Sequence, residues 1–134
     1  MPALSQSITF TINTVTSTSI TYPNTGTTAL TYSSDRIKGD GYFGNADGLH
    51  TVQTKITEFV GKIAIQGTLA TEPIESDWFN VRLDDGTGNF TTVTNYTSVT
   101  SIVSCFNFTG NIVWVRANVS NWTQGTVNSI QINH

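Results

Sequence analysis

The sequence predicts an all-β fold, an antiparallel β-sandwich of jelly-roll-like type with about nine or ten short strands. Three observations carry that expectation. Apolar and polar residues alternate with period two over most of the chain, the signature of half-buried strands. Thr and Ser are abundant, with 24 Thr and 12 Ser, and a hydroxyl on a β-branched carbon suits a pleated, half-exposed surface. No segment shows an amphipathic helical stripe of three turns.

The elements follow in order. "SITFTINT" places Ile8, Phe10 and Ile12 on one face and Thr9, Thr11 and Asn13 on the other. "TSTSITY" repeats the pattern more weakly with Ile20 and Tyr22, and Pro23-Asn24 then turns the chain. "NTGTTA" reads as a loop, and "TALTYSS" gives a short strand around Leu30 and Tyr32. "HTVQTKIT" aligns His50, Val52, Thr54 and Ile56. "GKIAIQGTLA" aligns Ile63, Ile65 and Leu69, with Gly67 as a bulge candidate. In "TEPIESDW", Pro73 followed by Glu75 and Asp77 predicts one helical turn between strands. "WFNVRL" sets Phe79, Val81 and Leu83 opposite Trp78, Asn80 and Arg82. "DDGTGN", residues 84–89, has Asp-Gly hairpin chemistry. The Thr-rich run "NFTTVTNYTSVTSIVSCF" is expected to hold two strands, and "NIVWVRANV" and "TVNSIQINH" close the chain. A faint echo between "FVGKIAI" (59–65) and "FTGNIVW" (108–114) suggests equivalent hairpin openings in two facing sheets. At 134 residues we read 1–134 as one β-sandwich domain, with residues 1–34 either a specialised contact arm or its first strands.

Charge narrows the function classes. Lys plus Arg number six and the net charge is −3, so no basic stripe is present to neutralise phosphates, and a nucleic-acid partner is not expected. No apolar run reaches the length of a membrane-spanning helix. "MPALSQSITF" lacks the charged and apolar regions of a signal peptide. The five Asn-x-Ser/Thr sequons, at Asn89, Asn95, Asn107, Asn118 and Asn121, are then a consequence of composition. Cys105, the single cysteine, lies in "SIVSCFNF" and is expected to be a small buried hydrophobe.

"DRIKGDGYFGNADGLHTVQ", residues 35–53, is the densest stretch. It combines Asp35, Asp40, Asp47 and Asn45 with four glycines and the pair Tyr42 and Phe43. Asp40, Asn45 and Asp47 offer the hard oxygens that calcium takes, but EF-hand spacing is absent, because Tyr42 and Gly44 stand third and fifth from Asp40. We expect residues 39–48 to form an ordered, metal-free connection. Gly39, Gly41, Gly44 and Gly48 would permit positive φ there, and the Asp and Asn side chains would accept backbone N–H groups as Asx-turns do. A calcium or sugar site is the alternative. Of Tyr42 and Phe43, one is expected in the core and the other exposed. An exposed aromatic beside Asp and Asn suits a glycan or protein contact. Trp78 and Trp114 are expected as core anchors. Trp122, in the polar stretch "SNWTQGT", is the tryptophan expected at the surface. The candidate contact residues are therefore Tyr42, Phe43, Asn45, Asp47 and Trp122.

Glu72, Glu75 and Asp77 cluster near Trp78, but three acids on a short turn are more often solvated than paired for glycoside cleavage. No nucleophile elbow, phosphate loop or His/Cys metal spacing occurs. No catalytic residue, metal or cofactor is therefore expected.

"GDGYFGNADGLHTVQ" followed by "FVGKIAIQGTLATEPIESDWFNV", and then "GNIVWVRANVSNWTQGTVNSIQINH", resembles small structural proteins of tailed bacteriophages, most nearly those of T4-like phages of marine bacteria. The resemblance covers residues 35–134 and rests on the order of the blocks. It implies a non-enzymatic virion protein that decorates the capsid or forms part of the tail or fibre. It also implies assembly in the host cytoplasm, other virion proteins as partners, and a homo-oligomer, a trimer or a ring. A carbohydrate-binding module that adheres to a host-surface glycan is the rival, raised by Trp122, Tyr42 and the Asp/Asn loops.

Overall fold

The computed structural model describes residues 5–12, 14–23, 28–44 and 48–133. It is all-β, antiparallel and sandwich-like, as the alternation predicts. Three long strands carry it: β7 (Leu49–Thr68), β11 (Thr94–Thr109) and β12 (Trp114–Asn133). β7 is central, with β12 along one edge and β11 along the other.

The N-terminal strands line the far edge of β12 in reverse order. β1 (Gln6–Ser7) pairs at Gln131–Ile132, and β4 (Ile20–Thr21) pairs at Thr126–Val127. β5 (Leu30–Ser33) then pairs between Asn118 and Trp122, and β6 (Ile37–Lys38) pairs at Trp114–Val115. β2 (Phe10–Ile12) and β3 (Val15–Ser17) form a separate hairpin. Ile8, Phe10 and Ile20 are buried in the common core, so the described part of residues 1–34 supplies first strands. On the other side, β8 (Phe79–Asn80) pairs with β7, and β9 (Leu83–Asp84) pairs with β11 at Asn107. β10 (Phe90–Thr91) completes the Asp-Gly hairpin with β9. The expected turn in "TEPIESDW" is a 3-10 turn at Glu75–Asp77, closed by Ile74 N–H donating to Asp77 Oδ2 at 2.9 Å.

The segmentation differs from expectation. "HTVQTKIT" and "GKIAIQGTLA" are one strand, and so are "NIVWVRANV" and "TVNSIQINH". In β7 the inward positions are His50, Val52, Thr54 and Ile56, then Phe59, Gly61, Ile63 and Ile65. The parity changes at Glu58, which has φ 49°. An extra residue in one strand flips every later side chain to the opposite face without ending the strand. β12 changes parity at the same level, where Asn121 also has φ 49° and the register shifts between Ser120 and Gln124. The two irregularities lie against each other: a Cβ on Gly125 would stand 2.2 Å from the Glu58 carbonyl oxygen. β11 is irregular there too, between Tyr96 and Ile102. The Thr-rich run does divide into two strands, but unevenly, into β10 and the long β11.

Four further expectations are corrected. Trp122 is fully buried, not exposed. The irregularity in β12 turns it inward, where Tyr22 and Tyr32 meet it edge-on at 5.6 and 6.0 Å. Cys105 is exposed, because Phe106 and Phe108 take the core face of β11 and leave Cys105 outside. Gly67 is not a bulge: it pairs regularly with Val115 and Phe79, and a Cβ there would lie 2.8 Å from the Ile112 side chain. The echoed segments are not equivalent hairpin openings, since 59–65 runs inside β7 and 108–114 spans the β11–β12 connection.

Candidate functional site

The Gly-rich stretch forms a single helical turn, Asp40–Phe43. Its glycines divide by role. Gly44 (φ 72°) and Gly48 (φ 62°) use the left-handed region, as expected. Gly39 and Gly41 do not; they are required for close approach. A Cβ on either would stand 2.4 or 2.3 Å from the carbonyl oxygen of Ile112 or Asn111, respectively. Their N–H groups donate to Val113 O and Ile112 O, each at 2.9 Å. The turn therefore rests directly on the backbone that leads into β12.

His50 fixes the turn from below. Fully buried, it stacks on Phe108 with ring centroids 4.4 Å apart and planes 4° apart. Gly48 O, 2.8 Å from Nδ1, can only accept, so Nδ1 carries the proton and Nε2 accepts the Asp40 N–H at 3.2 Å. Asp40 itself is buried at the start of the turn, not displayed as a loop ligand. Asn45 and Asp47 lie outside the described residues. Among the described residues no group of three His, Cys, Asp or Glu side chains could hold a metal ion.

This seating places Tyr42 and Phe43 together at the surface, 46% and 51% exposed; neither enters the core. Their rings meet edge-on at 5.6 Å, and Tyr42 packs against Trp114 with centroids 5.0 Å apart. Trp114, expected as a core anchor, is half-buried on the rim, held by Nε1 donating to Thr71 O at 3.0 Å. Two cations complete the surface. The Arg36 guanidinium lies 4.2 Å from the Trp114 ring centroid, and Lys38 Nζ lies 4.6 Å from that of Tyr42. Both come from the β6 segment, which pairs Lys38 with Trp114. No ion pair joins either cation to a carboxylate among the described residues.

A second cluster adjoins it through Arg36, which lines a cleft of about 270 Å³ with Glu75, Trp78 and Arg116. Arg116 is buried, donates to Gln66 Oε1 at 2.8 Å and makes a bidentate pair with Glu75 at 2.7 and 3.1 Å. Its guanidinium also sits 4.4 Å from the centroid of Trp78, which is half-buried. The hydrogen bonds from Arg116, then its charge, hold the Glu75 carboxyl below the ordinary carboxylate range. Glu75 thus remains exposed yet paired, and the Arg116 guanidinium is engaged by Glu75 and Gln66.

The "DDGTGN" loop is self-contained in the same way. Asp84 Oδ1 accepts Gly86 N–H, and Asp85 Oδ1 accepts both Thr87 N–H and Thr87 Oγ1–H. Those bonds, the side-chain one first, lower the Asp85 pKa. Beside it, Arg82 stacks on exposed Phe90 at 3.8 Å along a cleft of about 570 Å³.

The structure thus unites two of the five candidates, Tyr42 and Phe43, and buries a third, Trp122. Reading by segment missed Trp114, Arg36 and Lys38. Arg36, just before β6, and Lys38, within it, stand two residues apart, and that period-two spacing was a usable signal. Their meeting with Trp114 depends on a pairing between residues far apart in the chain.

Fold and surface together define a β-rich, sandwich-like protein with an exposed aromatic–cation face and, among the described residues, no helix long and apolar enough to cross a membrane. No family model, no curated protein and no solved structure matches the chain.

Proposed function

We propose that this chain is a non-enzymatic accessory protein of a tailed-phage virion, on the capsid or in the tail or fibre, acting through protein–protein contacts. The observation that carries the contact role is the surface of Tyr42, Phe43, Trp114, Arg36 and Lys38. Tryptophan, tyrosine and arginine are enriched among the few residues that dominate binding energy at protein interfaces. Here Tyr42 and Phe43 are carried by a glycine-seated turn, and Tyr42 packs against Trp114. The resemblance of the block order to that of small phage structural proteins is what motivates the virion role. The low charge, 11% of residues, also suits a surface repeated many times in a particle.

Purified particles test the reading. Immunogold labelling is expected to mark the head or the tail, and a Phe43→Asp variant is expected to be lost from particles while remaining folded. Absence of the wild-type protein from purified virions would overturn it.

A second reading, a carbohydrate-binding module for host adhesion, is favoured by the cation-flanked rings of Tyr42 and Trp114. Such a surface suits an acidic sugar, whose faces stack and whose carboxylate meets Arg36 or Lys38. Glycan-array binding that is lost in Tyr42→Ala and Lys38→Ala would favour it over the first. The role once expected of Trp122 passes to Trp114, since Trp122 is inside.

A further inference from the structure

The outer edge of β11 carries a short stretch with no partner strand among the described residues; within it the register against β7 shifts once, between Thr100 and Ile102, where the extra residue lies in β7. It has two natural limits. On one side, β11 advances from Tyr96 to Thr100 while β7 moves only from Gly61 to Phe59, so residues 97–99 bulge out. On the other, Asn107 is already paired with Asp84 of β9. Between them lie Thr100, Ser101, Ile102, Val103, Ser104, Cys105 and Phe106. Seven residues span about 23 Å, an ordinary strand length.

We propose that a second copy of this chain pairs antiparallel with this stretch across a two-fold axis at Val103. The midpoint of 100–106 sets the register. Val103 faces Val103 of the second copy, Ile102 faces Ser104, and Ser101 faces Cys105. Charge selects a second copy over a strand of opposite charge, and two further observations say why this stretch takes a strand.

The first is charge. A two-fold axis sets like residues against like, so any charged side chain near the axis would face itself. Residues 94–109 contain no Asp, Glu, Lys or Arg, and no Pro. These are the devices that ordinarily blunt an exposed edge, and here only the bulge limits it. A strand of opposite charge would find nothing to recognise.

The second is exposed apolar surface at the centre. Ile102 is 46% and Val103 55% exposed, on opposite faces of the strand. Ile102 follows Phe106 and Ser104 along the core-facing side, where burial falls off toward the edge. A neighbouring strand covers both.

The third is side-chain chemistry. Self-pairing brings hydroxyl and β-branched residues together, and the fold already joins strands this way. Thr11 and Thr16 hydroxyls meet at 2.7 Å, and those of Thr21 and Thr126 at 2.9 Å, across paired strands. Such cross-strand pairs stabilise a sheet at little entropic cost. The result is one sheet running continuously through two copies.

This contact lies on a different edge from the Tyr42 surface and does not rest on the virion reading. The test is sedimentation and native mass spectrometry of the full chain. Wild type is expected to dimerise. Val103→Lys, which places two ammonium groups face to face, is expected to weaken dimerisation at least about tenfold with an unchanged circular dichroism spectrum. Amides within 100–106 are expected to exchange slowly in the wild-type dimer and quickly in Val103→Lys. In a Cys105→Ser background, Val103→Cys is expected to yield a crosslinked dimer with a short bifunctional thiol reagent, because facing Cβ atoms lie about 5 Å apart. Val99→Cys, in the bulge, is expected to yield none. A wild-type monomer at every soluble concentration would overturn the proposal. So would an oligomer that survives Val103→Lys but dissolves in Phe43→Asp, or rapid exchange at 100–106 in the dimer.

Discussion

Two stretches of this chain share a composition and meet opposite fates. Residues 39–44, "GDGYFG", and residues 120–125, "SNWTQG", each set aromatic side chains among glycine and polar residues. The first displays Tyr42 and Phe43; the second buries Trp122 completely. The difference lies in what stands on either side. Residues 120–125 belong to β12, flanked by β7 and by β5, and their irregular backbone stays within the sheet. An aromatic there meets neighbours in every direction. Residues 39–44 cap the end of the sheet and touch it on one side, through the 111–113 backbone. Polarity of the flanking residues is therefore a poor guide to exposure where the backbone bulges inside a ladder.

The strongest way to break the comparison is Trp122→Ala. Removing the largest fully buried side chain from between Tyr22 and Tyr32 is expected to cost about 3–5 kcal/mol, read as a lower urea midpoint at constant m-value. A loss under about 1 kcal/mol would mean that Trp122 is not a core residue.

Next is Gly41→Ala. The added Cβ would fall 2.3 Å from Asn111 O, so the turn must lift from its seat. Destabilisation of about 1–3 kcal/mol is expected, together with a change in near-ultraviolet dichroism as Tyr42 leaves Trp114. The same substitution at Gly44 meets no neighbouring atom and is limited by its φ of 72° alone. Gly44→Ala is therefore expected to leave the Tyr42–Trp114 signal in place.

Glu75→Gln is smaller. The carboxylate is 81% exposed, so its pair with Arg116 is screened and worth about 1 kcal/mol or less. Because its pKa in the fold is lowered from 4.5, the stabilisation is present above that value and disappears as pH falls through the lowered folded value. Wild type and Glu75→Gln are expected to differ in melting temperature at neutral pH and to converge in acid. A gap that grows in acid would reverse the assignment.

Phe43→Ala is expected to change stability least, by under about 0.5 kcal/mol for a surface side chain. Binding is where it should act. Chelation with EDTA is expected to leave the melting temperature unchanged, and a calcium-dependent rise would show that the 39–48 connection holds a cation after all.

Particular residues show how much was legible. The placement of Ile8, Phe10 and Ile12, the hairpin at 84–89 and the turn at Glu75–Asp77 all followed from local rules, because alternation, Asp-Gly chemistry and a proline before acidic residues act within a few residues. At Glu58 the same local reading failed. A change of parity without a turn sequence marks either two strands or one strand with a bulge, and only the partner strand distinguishes them. Cys105 failed for a related reason: its apolar neighbours describe the segment, whereas its own exposure depends on which parity faces the core.

By itself, then, the sequence determined the β class, the alternating faces and the chemistry of the tight turns, since each arises from backbone geometry and nearest neighbours. The tertiary structure decided that β7 and β12 run unbroken, that Trp122 lies inside, and that Arg36, Lys38 and Trp114 join Tyr42 on one surface. Those outcomes depend on hydrogen bonds and packing between residues up to a hundred positions apart, where backbone partners, not flanking composition, set which side chain meets water.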